Sequence, residues 1–184
     1  MPSQWSREME FCIQASQPRY LSAGECGGDD FSTVLQGVFA ESTEYAVLIW
    51  NRVPVLLSYK YDVSVIFEDI LDLLEDVIGS DSGAFDFEWP SDTFRASWSL
   101  RWSGPDLSID SKWYSVTGGI EEALNARMSL SVSKAGFLSE WKRLLEVVLD
   151  SAEQAGADLT GVDATGRARS LAAGLPGPGL LYRL

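Results

Sequence analysis

The chain has 184 residues, of which 46% are hydrophobic and 11% aromatic, and its 27 acidic and 14 basic residues give a net charge of −13. This composition is typical of one folded domain with a sizeable core and excludes an intrinsically disordered chain. Histidine is absent, which excludes Ser-His-Asp, Cys-His and histidine–metal chemistries, and the lack of Lys and Arg clusters argues against nucleic-acid binding.

The termini and cysteines indicate a cytoplasmic protein without a cofactor. No apolar stretch is long enough to span a bilayer, and residues 1–7 lack the apolar core of a signal peptide. Cys12 and Cys26 do not have metal-ligand spacing. We interpret Cys12 as a small buried residue in a strand and Cys26 as a loop thiol. No metal or other cofactor is expected.

Hydrophobic patterns predict local elements in the first 61 residues. In chain order these are a strand over 9–15, a glycine-rich turn over 24–30, an amphipathic helix over 31–40 and two hairpin strands over 45–50 and 53–61. Asp30 is the expected N-cap of the helix. Asn51 and Arg52 join the hairpin strands, and Pro54 indicates an edge strand.

The middle of the chain is predicted to be one helix followed by strands. Ser64 is the expected N-cap of a helix over 65–78. Predicted strands cover 84–89, 94–102, 107–117 and 127–133, with a turn at 103–106 and one or two helical turns within 119–126. Alternating apolar residues over 94–102 indicate one buried and one solvated face. Trp113 and Tyr114 must point in opposite directions, and the pattern does not say which one is buried.

The last third is predicted to be a long helix and an extension. Ser133 is the expected N-cap of a helix over 134–154. Beyond Gly156 the composition changes to Gly, Ala, Leu and Thr, so we divide the chain into a domain over 1–155 and a C-terminal extension over 156–184, which is ordered only if it docks. Because helices flank the strands singly, the predicted fold class is α+β, an antiparallel sheet of about five to seven strands with two or three helices.

The negative charge is concentrated in one segment, 61–94, which holds ten acidic residues and no Lys or Arg. Five of the acids fall on one face of the predicted helix: Glu68, Asp69, Asp72, Glu75 and Asp76. Four like-charge pairs at i+3 or i+4 spacing cost about 1–2 kcal/mol in all. One interpretation is a landing surface for a cationic partner. The alternative is a helix face that is merely solvated.

The acidic segment continues into a predicted strand that alternates carboxylates with aromatic residues. Asp86, Glu88 and Asp92 accompany Phe85, Phe87 and Trp89. Aromatic residues among charges are typical of an interface centre, and packing of these aromatics in the core is the alternative. A carboxylate pair drawn from different strands would suit glycosidase-like chemistry. The residues around Asp81 depart from the calcium-loop pattern, so calcium binding is not expected.

The layout of the chain resembles bacterial immunity proteins of contact-dependent inhibition and other polymorphic toxin systems. The resemblance covers residues 5–155 and lies in the size, the acidity, the many tryptophans, the helix FEDILDLLEDVI (67–78) and the segment SWSLRWSGPDLSIDSKW (97–113). It implies a non-enzymatic protein that neutralises a cognate toxin, often a basic nuclease, by covering its active site or substrate groove. No functional residue can be carried over, because these families share a role more than a sequence pattern.

The expected interface combines the acidic helix face with the strand that follows it. Its members are Glu68, Asp69, Asp72, Glu75, Asp76, Asp86, Glu88 and Asp92, with Trp89 as an anchor. The expected partner is a basic toxin domain, without nucleic acid or membrane, and the chain is expected to be a monomer or weak dimer. A secretion chaperone or adaptor, and a carboxylate-dependent enzyme, are the other classes left open.

Overall fold

The computed structural model describes residues 10–21, 30–159 and 163–177, and the predicted turn over 24–30 and Cys26 lie outside or largely outside these ranges. The strands are β1 (Phe11–Gln14), β2 (Ala46–Trp50), β3 (Val53–Leu57), β4 (Ser82–Ser91), β5 (Phe94–Ser103), β6 (Asp106–Val116) and β7 (Ser129–Ser133). The helices are α1 (Phe31–Val38), α2 (Ser64–Gly79), α3 (Glu121–Asn125), α4 (Lys134–Ala155) and α5 (Asp163–Gly174). The predicted α+β class is confirmed.

The seven described strands divide into two antiparallel sheets, whereas the sequence suggested one. The first sheet has the order β1-β2-β3 and the second β4-β5-β6-β7. In both sheets neighbouring strands are consecutive in the chain; helix α1 lies between β1 and β2, and helix α3 lies between β6 and β7. The segment between β3 and β4 contains a π-helical turn (Tyr59–Val63) and α2. This helical segment separates β3 from β4, so the strand pairing does not continue from one sheet into the other.

The β2–β3 hairpin turns through two residues with left-handed backbone. Asn51 has φ 46° and Arg52 has φ 69°, which is the pattern of a type I′ turn. Asn tolerates this conformation, whereas Arg adopts it rarely and Gly is preferred. Pro54 lies in β3, an edge strand of the first sheet, as expected.

Two of the three predicted helix caps are confirmed. The Asp30 carboxylate accepts from the Thr33 N–H at 2.8 Å, and the Ser133 hydroxyl accepts from the Gly136 N–H at 3.0 Å. The prediction for Ser64 is wrong, because the π-helical turn runs directly into α2 and Ser64 donates to the Lys60 carbonyl instead. Ser58 caps the π-helical turn, and its hydroxyl accepts from the Tyr61 N–H.

Aromatic side chains join the two sheets in one core. Trp98 on β5 is central, with its ring centroid 5.1 Å from Trp50 on β2 and 5.3 Å from Trp89 on β4. The predicted alternation in β5 is confirmed, since Phe94, Ala96, Trp98, Leu100 and Trp102 are all buried. Of the adjacent pair Trp113 and Tyr114, Trp113 is buried and Tyr114 is 47% exposed.

The described part of the C-terminal segment is docked on the helices. Helix α5 packs against α2 and α4. Its buried side is made of small residues and one leucine, namely Ala164, Thr165, Ala168, Leu171 and Ala172. At its end the Lys142 ammonium donates to the Leu175 carbonyl at 3.0 Å. Residues 163–177 therefore contribute to the same core as the residues before them.

Candidate protein-interaction site

Helix α2 presents the five predicted acids to solvent. We call this set, Glu68, Asp69, Asp72, Glu75 and Asp76, the acidic helix face, and all five are exposed. The opposite side of the helix packs into the core through eight buried residues, from Ser64 to Val77. The amphipathic pattern therefore fixes which way the acids point.

An arginine from the C-terminal helix occupies the centre of the acidic helix face. Arg167 Nε and Nη2 donate to both carboxylate oxygens of Glu75 at 2.9 and 2.7 Å, and Nη2 also contacts Asp72 at 2.5 Å. The two carboxylates raise the pKa of the Arg167 guanidinium above its ordinary value. Sequence reasoning missed Arg167, because it lies 92 and 95 residues away in the chain and in a segment without a charge pattern.

The other three acids of the face have no cationic partner in the part of the chain that the structure describes. Within the described ranges, Glu68, Asp69 and Asp76 form no ion pair. Partial burial, together with the nearby Asp72 carboxylate, raises the pKa of Asp69. The acidic helix face thus consists of a centre in which one arginine offsets part of the charge of two carboxylates, and of three carboxylates that have no ion pair with any described residue.

Asp86 and Glu88 lie on a different surface from the acidic helix face. Phe87 and Trp89 point into the core from β4, so the alternating Asp86 and Glu88 point to the opposite, solvated face of the sheet. There they stand across from Ser99 and Ser97 of β5. Asp92 is exposed in the turn between β4 and β5. Folding therefore divides the expected interface into a helix part and a sheet part.

The sheet part carries charge of both signs, because the exposed acids Asp86, Glu88 and Asp110 share their face of the sheet with basic residues. Tyr114 lies on this face, and its ring centroid is 5.8 Å from the Arg95 guanidinium and 5.2 Å from the Lys112 ammonium. The Ser97 and Tyr114 hydroxyls are hydrogen-bonded at 3.0 Å. Arg95 and Lys112 lie on this face and offset part of its negative charge, which makes it a weaker candidate for binding a basic protein.

The structure corrects the expectation that Trp89 is an interface anchor. Its side chain is only 1% exposed, and its ring centroid lies 4.5 Å from that of Phe94. The alternation of β4 gives Trp89 the same direction as Phe87, and the packing of that side of the strand against the core buries both residues. Core packing, the alternative interpretation of these aromatics, is confirmed for both residues.

Two carboxylates, one buried and one half-buried, have structural partners. Asp62, which belongs to the acidic segment of the sequence, is 1% exposed and accepts from the Ser58 N–H at 2.7 Å and the Thr93 hydroxyl at 2.5 Å. Glu140 accepts from the Ile13 N–H at 2.9 Å and so ties α4 to β1. Burial raises the pKa of both carboxyl groups. These two groups join elements of the fold.

The described residues contain neither a metal-binding cluster nor a membrane-spanning helix. Among residues 10–21, 30–159 and 163–177, no group of three or more Asp, Glu, Cys or His side chains is placed to hold a metal ion. In the same ranges no helix has the length and apolar character needed to cross a bilayer. The geometry defines an α+β protein with an acidic helix face that is partly covered by its own C-terminal helix. No protein-family model, curated protein or solved structure matches the chain.

Proposed function

We propose that this protein is a non-enzymatic binding protein whose acidic helix face docks on a basic partner protein. One observation carries the proposal: Glu68, Asp69 and Asp76 stay exposed and without a described ion pair beside two further carboxylates. Like-charge pairs on one helix face cost stability. A function that requires negative charge on the acidic helix face would explain why these carboxylates are present despite that cost.

We further propose that the partner is a cognate toxin domain and that the chain acts as its immunity protein in the cytoplasm. This step rests on the layout-level resemblance described above and on charge complementarity. A nuclease or another enzyme with an anionic substrate has a basic groove, and an acidic helix laid along that groove would exclude the substrate. Electrostatic steering would speed association and weaken with salt.

Exposed apolar residues border the acidic helix face and would supply non-polar contact in place of Trp89. Val65 lies one turn before Glu68 and Asp69, and Ile78 lies near the end of the same helix; both are exposed. Tyr61, in the π-helical turn, is exposed as well. Stable interfaces combine charged contacts with apolar burial, and these three residues provide it at both ends of the helix.

Capture from the native host followed by charge substitution tests the proposal. The full chain is used to recover partners at low salt and again at high salt, and the affinity for the recovered protein is then measured. We expect a basic protein whose binding weakens with salt, and D69K and D76K should each weaken it further. R167Q should tighten it, because it removes the positive charge of Arg167 from between Asp72 and Glu75 and makes the face one charge more negative.

Asp150 provides the matched control, because it is exposed on α4 and does not belong to the acidic helix face of α2. D150K makes the same change in net charge as D69K and should have a much smaller effect. Equal effects of D150K and D69K would show that only net charge matters, and the proposed docking site would be wrong. Recovery of no basic protein at either salt concentration would remove the proposal altogether.

A further inference from the structure

A second charged feature lies at the tip of the β2–β3 hairpin, where a shallow cleft of about 370 Å³ opens to solvent. Glu10, Asn51, Arg52, Arg127 and Ser129 line it. Two arginines and one glutamate give the lining a charge of +1 in a chain whose net charge is −13. Neither arginine forms an ion pair with any described residue.

Hydrogen bonds between the lining residues hold the cleft in shape. The Asn51 side-chain amide donates to the carbonyls of Arg127 and Ser129 at 2.8 and 3.0 Å, and the Asn51 N–H donates to the Glu10 carbonyl at 2.7 Å. The buried Trp50 indole N–H also donates to the Arg127 carbonyl, at 2.8 Å. These bonds hold the backbone around Asn51 and Arg127 in place, while the side chains of both arginines are exposed to solvent.

Arg52 occupies a position that the fold would fill better with glycine. Its φ of 69° belongs to the left-handed region, where side chains with a Cβ are disfavoured and glycine is not. The hairpin geometry explains the left-handed backbone but does not explain an arginine there. Residues kept in a disfavoured conformation are a feature of functional sites.

We propose that this cleft binds a small oxyanion of the phosphate class. Proteins commonly use arginine side chains to bind phosphate. Here Arg52 and Arg127 line the same cleft, and neither has a carboxylate partner among the described residues. The negative charge of the rest of the chain repels anions, so binding here would depend on these local cations. Glu10 on the rim opposes the anion. The proposal does not rest on the partner proposed for the acidic helix face.

Titration with inorganic phosphate at constant ionic strength, followed by amide NMR of the full chain, tests the proposal. We expect saturable shifts confined to the Trp50 indole, the Asn51 side-chain amide and the backbone around Arg127. R127Q should weaken binding about fivefold and E10Q should strengthen it by a similar factor, since each removes one charge near the anion. R101Q, which removes an exposed arginine from β5, should change nothing.

R52G separates loss of binding from loss of folding. Glycine relieves the left-handed strain, so R52G should melt at a higher temperature than the native chain and still lose phosphate affinity. Shifts that do not saturate, or that spread over the surface, would overturn the proposal. So would an R52G or R127Q variant that binds like the native chain, an E10Q variant that binds no better, or acetate that binds more tightly than phosphate.

Discussion

The contact of Arg167 with Asp72 and Glu75 is expected to stabilise the docked C-terminal helix by about 1–2 kcal/mol. The Arg167 side chain is 27% exposed, against 56% for Asp72 and 43% for Glu75, so solvent screens the attraction only in part. An exposed ion pair contributes about 0.2–1 kcal/mol, and the two-pronged contact with Glu75 belongs at the upper end. Relief of the repulsion between Asp72 and Glu75 adds about 0.2–0.5 kcal/mol.

Equilibrium unfolding of R167Q by urea measures this contribution. At low salt we expect the free energy of unfolding to fall by about 1–2 kcal/mol, which corresponds to a melting temperature lower by roughly 2–8 °C at this chain length. Near 1 M salt the loss should shrink to less than half, because the Debye length is then about 3 Å. A double-mutant cycle with E75Q should give a coupling energy of about 1 kcal/mol.

Arg169 on the same helix is the matched control. It forms one contact with Glu153 at 2.5 Å, and both side chains are more than half exposed, at 56% and 52%. R169Q should therefore cost only about 0–0.5 kcal/mol. The reasoning would be refuted if R167Q cost no more than R169Q, or if its cost were the same at both salt concentrations.

Two further predictions concern Asp62, which is buried, and Glu140, which is half-buried. D62A should lower the free energy of unfolding in urea by about 2–4 kcal/mol, because it leaves the Ser58 N–H and the Thr93 hydroxyl without their acceptor; a cost below that of a typical surface substitution would contradict this. Burial raises the native-state pKa of Glu140 above its unfolded value, so its contribution to stability is full below the unfolded pKa and is lost as pH rises through the native pKa. The native chain should therefore gain stability relative to E140Q as pH falls from neutrality, and a pH-independent difference between the two would contradict it.

Much of the local structure follows from the sequence, since apolar periodicity reports which side of an element is buried. The alternation over 94–102 correctly predicted the two faces of β5, and the spacing of the five acids correctly predicted an exposed helix face. The sequence also predicted the helix caps at Asp30 and Ser133 correctly, because a capping side chain bonds to a backbone N–H only three residues further along the chain. Ser64 failed as a cap because a wider helical turn precedes it, and no simple sequence pattern marks such a turn.

The set of residues that form the candidate site depends on tertiary contacts, which the hydrophobic periodicity of the sequence does not reveal. The sequence by itself determined that segment 61–94 is acidic and that five of its acids share one helix face. Tertiary packing decided the rest: Asp62 and Trp89 are buried, Asp86 and Glu88 lie on another face of the molecule, and Arg167 compensates the centre of the helix face. The physical reason is that patterns of charge and hydropathy describe residues close together in the sequence. Contacts such as that of Arg167 with Asp72 and Glu75 depend instead on how elements distant in the sequence pack together.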